Sequence, residues 1–224
     1  MPEAMPLRLV LLGPPASGKG TQGRRIAERE GLAYLSTGAL LREELENEGP
    51  IAEEIRPVLA RGGYVADDTM CRIMEPWLAS HESAGWVLDG FPRTAAQDDF
   101  LGRWLDERGQ SVDAAVALEV PQSELLGRIE RRVECPQCRW SGQKSETDGG
   151  HCPKCGAVAG PRADDGRENF LRRFDEFALH ALPVIERYAR REKLIRCDAT
   201  DDIGTVADRL ARYIDSLSSH GQEA

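Results

Sequence analysis

Apolar residues fall in short runs and in helical stripes along the chain. Leu7-Arg8-Leu9-Val10-Leu11-Leu12 reads as a buried strand, stopped by Gly13-Pro14-Pro15. The spacing predicts a helix from Lys19 to about Glu30, ended by Gly31, and a short strand at Ala33-Tyr34-Leu35. Ser36-Thr37 caps a helix through about Glu46, and a further helix covers about 51–61 before Gly62-Gly63. Asp67-Asp68 opens the next helix, with Met70, Ile73 and Trp77 at helical spacing. Gly85-Trp86-Val87-Leu88 is a strand, about 95–108 is helical, and 114–120 is a strand. A helix then runs over about 122–133; Arg128 and Arg132 share one of its faces, and Arg131 falls off it as a surface charge. Phe170, Phe174, Phe177, Ala181, Ile185 and Tyr188 form the core stripe of one long helix, kinked at Pro183. Leu194-Ile195-Arg196-Cys197 is the last strand. Ile203, Val206, Leu210, Ile214 and Leu217 mark a closing amphipathic helix. Strands alternating with helices predict an α/β fold, a parallel sheet with helices on both faces.

One segment breaks the pattern. About 134–165 is rich in Gly, Pro, Ser and Asp, lacks helical periodicity, and reads as an inserted lobe. It holds Cys135-Pro136-Gln137-Cys138 and Cys152-Pro153-Lys154-Cys155, with 13 residues between them. Each unit offers two thiolates from one tight turn, and two units fill a tetrahedral shell, so the four cysteines predict a structural zinc site. His151 is a possible substitute ligand that a full thiolate set makes unnecessary. A disulfide framework fits poorly, and neither pair opens a helix after a strand as a redox motif would. Cys71 and Cys197 are isolated and read as small buried residues.

Composition sets the class. The chain has 224 residues, 41% hydrophobic and 30% charged, enough for one large α/β domain with a small insert. The mean hydropathy is -0.45. The apolar runs are far too short to span a bilayer, and no signal peptide is read at the N-terminus. The formal net charge is -9, which disfavours nucleic acid and anionic membranes as partners. Only Lys19, Lys144, Lys154 and Lys193 are lysines among 29 basic residues, so arginine dominates. Most of these arginines read as solvated helix faces. Some could form an anion site, because a guanidinium grips phosphate oxygens in pairs.

The strongest signal is Gly13-Pro14-Pro15-Ala16-Ser17-Gly18-Lys19-Gly20-Thr21-Gln22, between a predicted strand and a predicted helix. Such a loop turns backbone N–H groups toward phosphate oxygens, the helix N-terminus adds its dipole, and Lys19 adds a charge. The strict pattern wants Ser or Thr directly after Lys. Here Gly20 stands there and Thr21 follows.

Gly-Lys-Gly-Thr-Gln is the form found in nucleoside monophosphate kinases, and from about residue 7 to 217 the chain resembles adenylate kinases of the long, zinc-carrying bacterial type. The matching stretches come in order. They are residues 13–22, Ser36-Thr37-Gly38 with Arg42, Gly63-Tyr64-Val65, Leu88-Asp89-Gly90-Phe91-Pro92-Arg93-Thr94 with Gln97, Arg128 and Arg132, the two cysteine units, and Arg162-Ala163-Asp164-Asp165 with Arg173.

The resemblance implies a phosphate-loop kinase core over 7–224, a helical monophosphate-binding insert over 36–65 and a zinc-binding lid over 131–165. It implies ATP and AMP as substrates, two ADP as products, Mg2+ with ATP, a role in nucleotide homeostasis, and a cytoplasmic monomer. ATP would be held by Ala16, Ser17, Gly18, Lys19, Gly20, Thr21, Arg128 and Arg132. AMP would be enclosed by Thr37, Gly63, Tyr64, Val65, Gly90, Phe91, Pro92 and Gln97, with its phosphate clamped by Arg42 and Arg93 and reached by Arg162 and Arg173. Gln97 could pair with the adenine edge. Lys19, Arg93, Arg132, Arg162 and Arg173 would surround the transferred phosphoryl group, and Asp89 would orient waters around Mg2+. Asp164 and Asp165 match acids near the lid hinge.

Three departures stand out. Ala16 replaces a common glycine, and Ala39 replaces a common acid. The family's Tyr-His and Phe-Asn-Pro-Pro stretch is missing between the cysteine pairs. The rival readings are a zinc-ribbon module for nucleic acid, an inactive nucleotide-binding relative, and the same chemistry on another monophosphate.

Overall fold

The computed structural model describes residues 6–162 and 165–220, without the side chains of 218–220. Asp164 lies outside the described residues. Strand β1 (Arg8–Leu12) is central in a five-stranded sheet of order β2-β3-β1-β4-β7, all neighbours parallel. Its other strands are β2 (Ala33–Ser36), β3 (Trp86–Asp89), β4 (Ala114–Glu119) and β7 (Leu194–Asp198). Every residue of β1 is buried. This explains the apolar run of residues 9–12: Val10 and Leu12 face one core, Leu9 and Leu11 the other.

Helices α1 (Lys19–Glu30) and α9 (Ile203–His220) cover one face, with Ile26, Val206, Leu210 and Ile214 in its core. Helices α5 (Ala95–Asp106) and α8 (Leu182–Arg190) cover the other, through Leu101, Trp104, Val184 and Tyr188. Helix α1 has the predicted bounds, and Gly31 ends it at φ 67 with its N–H on the Ala27 carbonyl. Helices α2 (Thr37–Glu46), α3 (Ala52–Ala60) and α4 (Asp67–Ser80) join β2 to β3. The Ser36 hydroxyl accepts from the Ala39 N–H, capping α2 as expected.

Two expectations need correction. Helix α6 (Gln122–Arg131) stops before Arg132, which takes φ -70, ψ 139 and begins strand β5 (Arg132–Glu134). Pairing with β6 (Ser141–Gln143) pulls it out of the helix, so Arg128 and Arg132 do not share a helical face. The long helix predicted after residue 165 is α7 (Arg167–Glu176), a π-helical turn (Phe177–Ala181) and α8. The irregular turn just before Pro183 lets a residue without N–H enter. Phe170, Phe177, Ala181, Ile185 and Tyr188 are buried as the stripe required. Cys197 is buried, whereas Cys71 is only half-buried. Among the described residues no helix is long and apolar enough to cross a membrane.

Candidate active site

Parallel strands deliver their following loops to one edge of the sheet, where open α/β sheets bind ligands. The loops after β1, β3 and β7 meet there around a cleft of about 700 Å3. Lys19 borders it from the first turn of α1, Asp89 from the end of β3, and Ala199, Asp201 and Ile203 from beyond β7. Among the described residues nine arginines border the same cleft, including Arg42, Arg93, Arg128, Arg132, Arg162 and Arg173. Arg131, read as a surface charge, is exposed but also lies on the rim.

In the phosphate loop, Ala16 takes φ 64, the conformation that the more usual glycine would adopt without strain. Ser17 is buried, and Ala16, Gly18, Gly20 and Thr21 border the cleft. Lys19 Nζ donates to the carbonyls of Gly13 (2.9 Å) and Pro14 (2.8 Å). Burial pulls its pKa from 10.5 to about 8. Asp89 opposes that shift, and Arg93, Arg173 and Arg132 add to it. Lys19 and nine arginines face only five carboxylates among the described lining residues, an excess of positive charge that a phosphate chain neutralises.

Each predicted phosphate-gripping arginine leans on a protein acceptor. Arg132 pairs with Asp165 through two nitrogens, one contact at 2.6 Å. Arg173 Nη1 is 3.9 Å from the same carboxylate. Glu134 stands 3.1 Å from Arg162 and 4.0 Å from Arg42. Arg128 holds Glu124 and the Ala199 carbonyl. Arg93 donates from Nε to the Gly90 carbonyl (2.8 Å) and lies over the Tyr64 ring, 5.0 Å from its centroid. Carboxylates thus hold several forks that phosphates could take over.

The predicted AMP-enclosing residues split into two groups. Tyr64, Gly90, Pro92 and Arg93 line a pocket of about 50 Å3 beneath Lys19. The Thr37 hydroxyl, buried, donates to the Gly90 carbonyl (3.0 Å). Gly90 is at φ +85, and a Cβ there would lie 2.7 Å from Thr37 Oγ1 and Arg93 Nη2, so only glycine fits. Gly63 lies in the turn between α3 and α4. Val65 and Phe91 are core residues. Gln97 is also buried: its Oε1 accepts from the Arg93 N–H and its Nε2 donates to Asp67, each at 2.8 Å. In this conformation Gln97 does not face the cleft, so the predicted contact with adenine requires an exchange of these bonds.

The cysteine lobe fits a zinc ion. The four sulfurs of Cys135, Cys138, Cys152 and Cys155 all lie within 4.8 Å of one another. Bonds of about 2.3 Å in a tetrahedral shell require sulfurs about 3.8 Å apart. The backbone closes each turn, Arg139 N–H to the Cys135 carbonyl (3.0 Å) and Gly156 N–H to the Cys152 carbonyl (2.9 Å). His151 Nδ1 lies 3.1 Å from the Asp148 carbonyl, outside the cysteine cluster. Across the cleft, Arg139 pairs with Glu46 at the end of α2, so the lobe touches the 36–65 segment. Asp89 suits the waters of a nucleotide-bound Mg2+: its carboxylate is buried, borders the cleft, and has no ion-pair partner among the described residues.

Sequence reasoning missed Tyr34, Arg24, Glu134, Arg139 and the Asp201-Asp202 turn, all of which border the cleft. Only the turn carried a local signal, its place directly after a parallel strand.

A phosphate loop at the edge of a parallel sheet, opposite converging arginines and beneath a four-cysteine lobe, defines a nucleoside monophosphate kinase. A family model described as adenylate kinase matches residues 11–218. An adenylate kinase of Clostridium perfringens (strain 13 / Type A) is 33% identical over 216 residues, covering 95% of this chain and 99% of that one. One of Moorella thermoacetica is 34% identical over 212 residues, 93% and 98%. One of Kosmotoga olearia is 32% identical over 216 residues, 94% and 100%. The chain belongs to the adenylate kinase family.

Proposed function

We propose that the cleft carries out the family's reaction, ATP + AMP = 2 ADP, by direct in-line transfer. An oxygen of the AMP phosphate attacks the γ-phosphorus of ATP as the bond to the β,γ-bridging oxygen breaks, and that oxygen leaves with ADP. The attacking oxygen is already ionised near neutral pH, so no general base is needed. The work of the site is to align two phosphate chains, neutralise them and exclude water.

The convergence of Lys19 with arginines from separate elements on one cleft supports this reading. In it, the loop from Ala16 to Thr21 cradles the ATP phosphates and Arg128 covers the ATP base. Arg42 and Arg93 hold the AMP phosphate. Thr37, Gly63, Tyr64, Val65, Gly90, Phe91, Pro92 and Gln97 wall the AMP site, several of them through backbone or packing alone. Lys19, Arg93, Arg132, Arg162 and Arg173 stabilise the transferred phosphoryl group, Arg132 and Arg173 taking its oxygens in exchange for Asp165 and Arg162 in exchange for Glu134. Mg2+ bound with ATP would neutralise its phosphates, and Asp89 would hold its waters.

A zinc ion on the four cysteines would be structural, since four thiolates leave no open position. Segments 131–165 and 36–65 would close over the nucleotides as two bodies. The Arg139–Glu46 pair links the two segments in this structure. The protein would act as a cytoplasmic monomer.

The test is a coupled assay of purified protein with ATP and each of AMP, CMP, UMP and GMP. ADP formation with AMP far above the others is expected. No turnover with AMP would overturn the reading.

A further inference from the structure

The phosphate loop lacks a hydroxyl directly after its lysine, because Gly20 stands where the strict pattern has Ser or Thr. The space beside Gly20 is faced by side chains from β2 and β3 and by the Arg24 guanidinium of its own helix. A Cβ at Gly20 would lie 3.5 Å from Asp89 Oδ2 and 3.7 Å from the Tyr34 hydroxyl. Tyr34 Oη donates to that same Asp89 oxygen at 2.9 Å. Strands β2 and β3 are parallel neighbours with Ser36 opposite Asp89, so the ring from two residues earlier crosses to the end of β3.

The ring has a place made for it. A Cβ at Gly23 would sit 2.7 Å from Tyr34 Cε2, so Gly20 and Gly23, one turn apart on α1, both leave room for it. The Arg24 guanidinium lies 5.3 Å from the ring centroid. Burial, and then the charge of Asp89, push the Tyr34 phenol well above its ordinary pKa, so it remains a donor. Asp89 is 7% exposed and, despite the arginines around it, has no ion-pair partner among the described residues. A buried carboxylate with one neutral donor still needs a cation or its waters.

We propose that Tyr34 is a positioning residue for the metal side of the cleft: its hydroxyl fixes the Asp89 carboxylate where the waters of nucleotide-bound Mg2+ dock, and so stands in for the hydroxyl that the phosphate loop gives up at Gly20. This rests on the adenylate kinase reading and deepens it.

The test measures ATP affinity by calorimetry with and without Mg2+, the Mg2+ needed for half-maximal rate, and Tm, in wild type and Tyr34→Phe. The variant is expected to lose about tenfold of the affinity that Mg2+ adds, as when a hydrogen bond orienting a metal-holding group is removed. Its affinity for metal-free ATP should stay within about twofold. In Asp89→Asn the same gain should be lost, with nothing further lost on adding Tyr34→Phe. Gly20→Ser in the Tyr34→Phe background should restore it. An unchanged Mg2+ gain in Tyr34→Phe overturns the proposal. So does an equal loss with and without metal that Gly20→Ser does not rescue, which marks a purely structural role. Either result, in a wild type that makes ADP with Mg2+, leaves the reaction standing; a wild type that makes none removes both.

Discussion

Asp165 holds Arg132 in a two-pronged ion pair at the edge of the cleft, with both side chains largely buried. The arginine comes from β5 at the start of the lid segment and the acid from its end, so the pair also fastens the two ends of the lobe together. Asp165→Asn should lower stability by up to about 3 kcal/mol, the low end for a broken buried pair because the freed guanidinium faces the cleft. ADP should return most of that loss, since its phosphates take the same fork. Melting curves with and without ADP check this; a deficit that ADP leaves in place would contradict it.

Lys19 predicts a pH dependence for binding. Its pKa is about 8 in the ligand-free cleft against 10.5 for an ordinary lysine. Phosphate favours the charged form, so ATP binding takes up about half a proton at pH 8. Affinity should be flat below about pH 7 and fall by up to about tenfold per pH unit above about pH 8. Stability runs the other way. The unfolded chain binds more protons between about pH 8 and 10.5, so this group's contribution to the ligand-free fold improves as pH rises through that window. Calorimetry in buffers of different ionisation enthalpy reads the proton uptake. Lys19→Met should remove the slope, and a flat profile in wild type would refute the assignment.

Removing the metal should separate stability from chemistry. A zinc-chelating agent is expected to lower Tm before it abolishes activity, because the ion would fold the lobe and touch no reacting atom. Complete loss of rate at unchanged Tm would give the ion a different role.

What could be read from the chain follows from how local each signal is. The two cysteine units and the loop around Lys19 carry their geometry in short spacing, and both were legible. Helix α1 was legible to the residue because Gly18 and Gly31 bracket it, both at positive φ. The end of α6 was not, since Arg132 leaves the helix to pair with Gln143, eleven residues on. Tyr34 and Glu134 were silent for the same reason: each matters through partners on other elements, Asp89 in one case and Arg162 with Arg42 in the other. Gln97 was singled out for an amide that could pair with adenine, but neither its burial nor its partners, Asp67 and the Arg93 backbone, were legible.

The central claim is that arginines converge to run phosphoryl transfer to AMP, and Arg93 tests it most directly. Its side chain leans on one carbonyl and one ring, so the fold can spare it. The measurement is the initial rate of ADP formation from ATP and AMP by wild type and Arg93→Ala, with Tm recorded for both. The account predicts a loss of about 10²–10³-fold or more, as for removal of a donor that stabilises transition-state charge, with Tm nearly unchanged. A variant that forms ADP at the wild-type rate would contradict it.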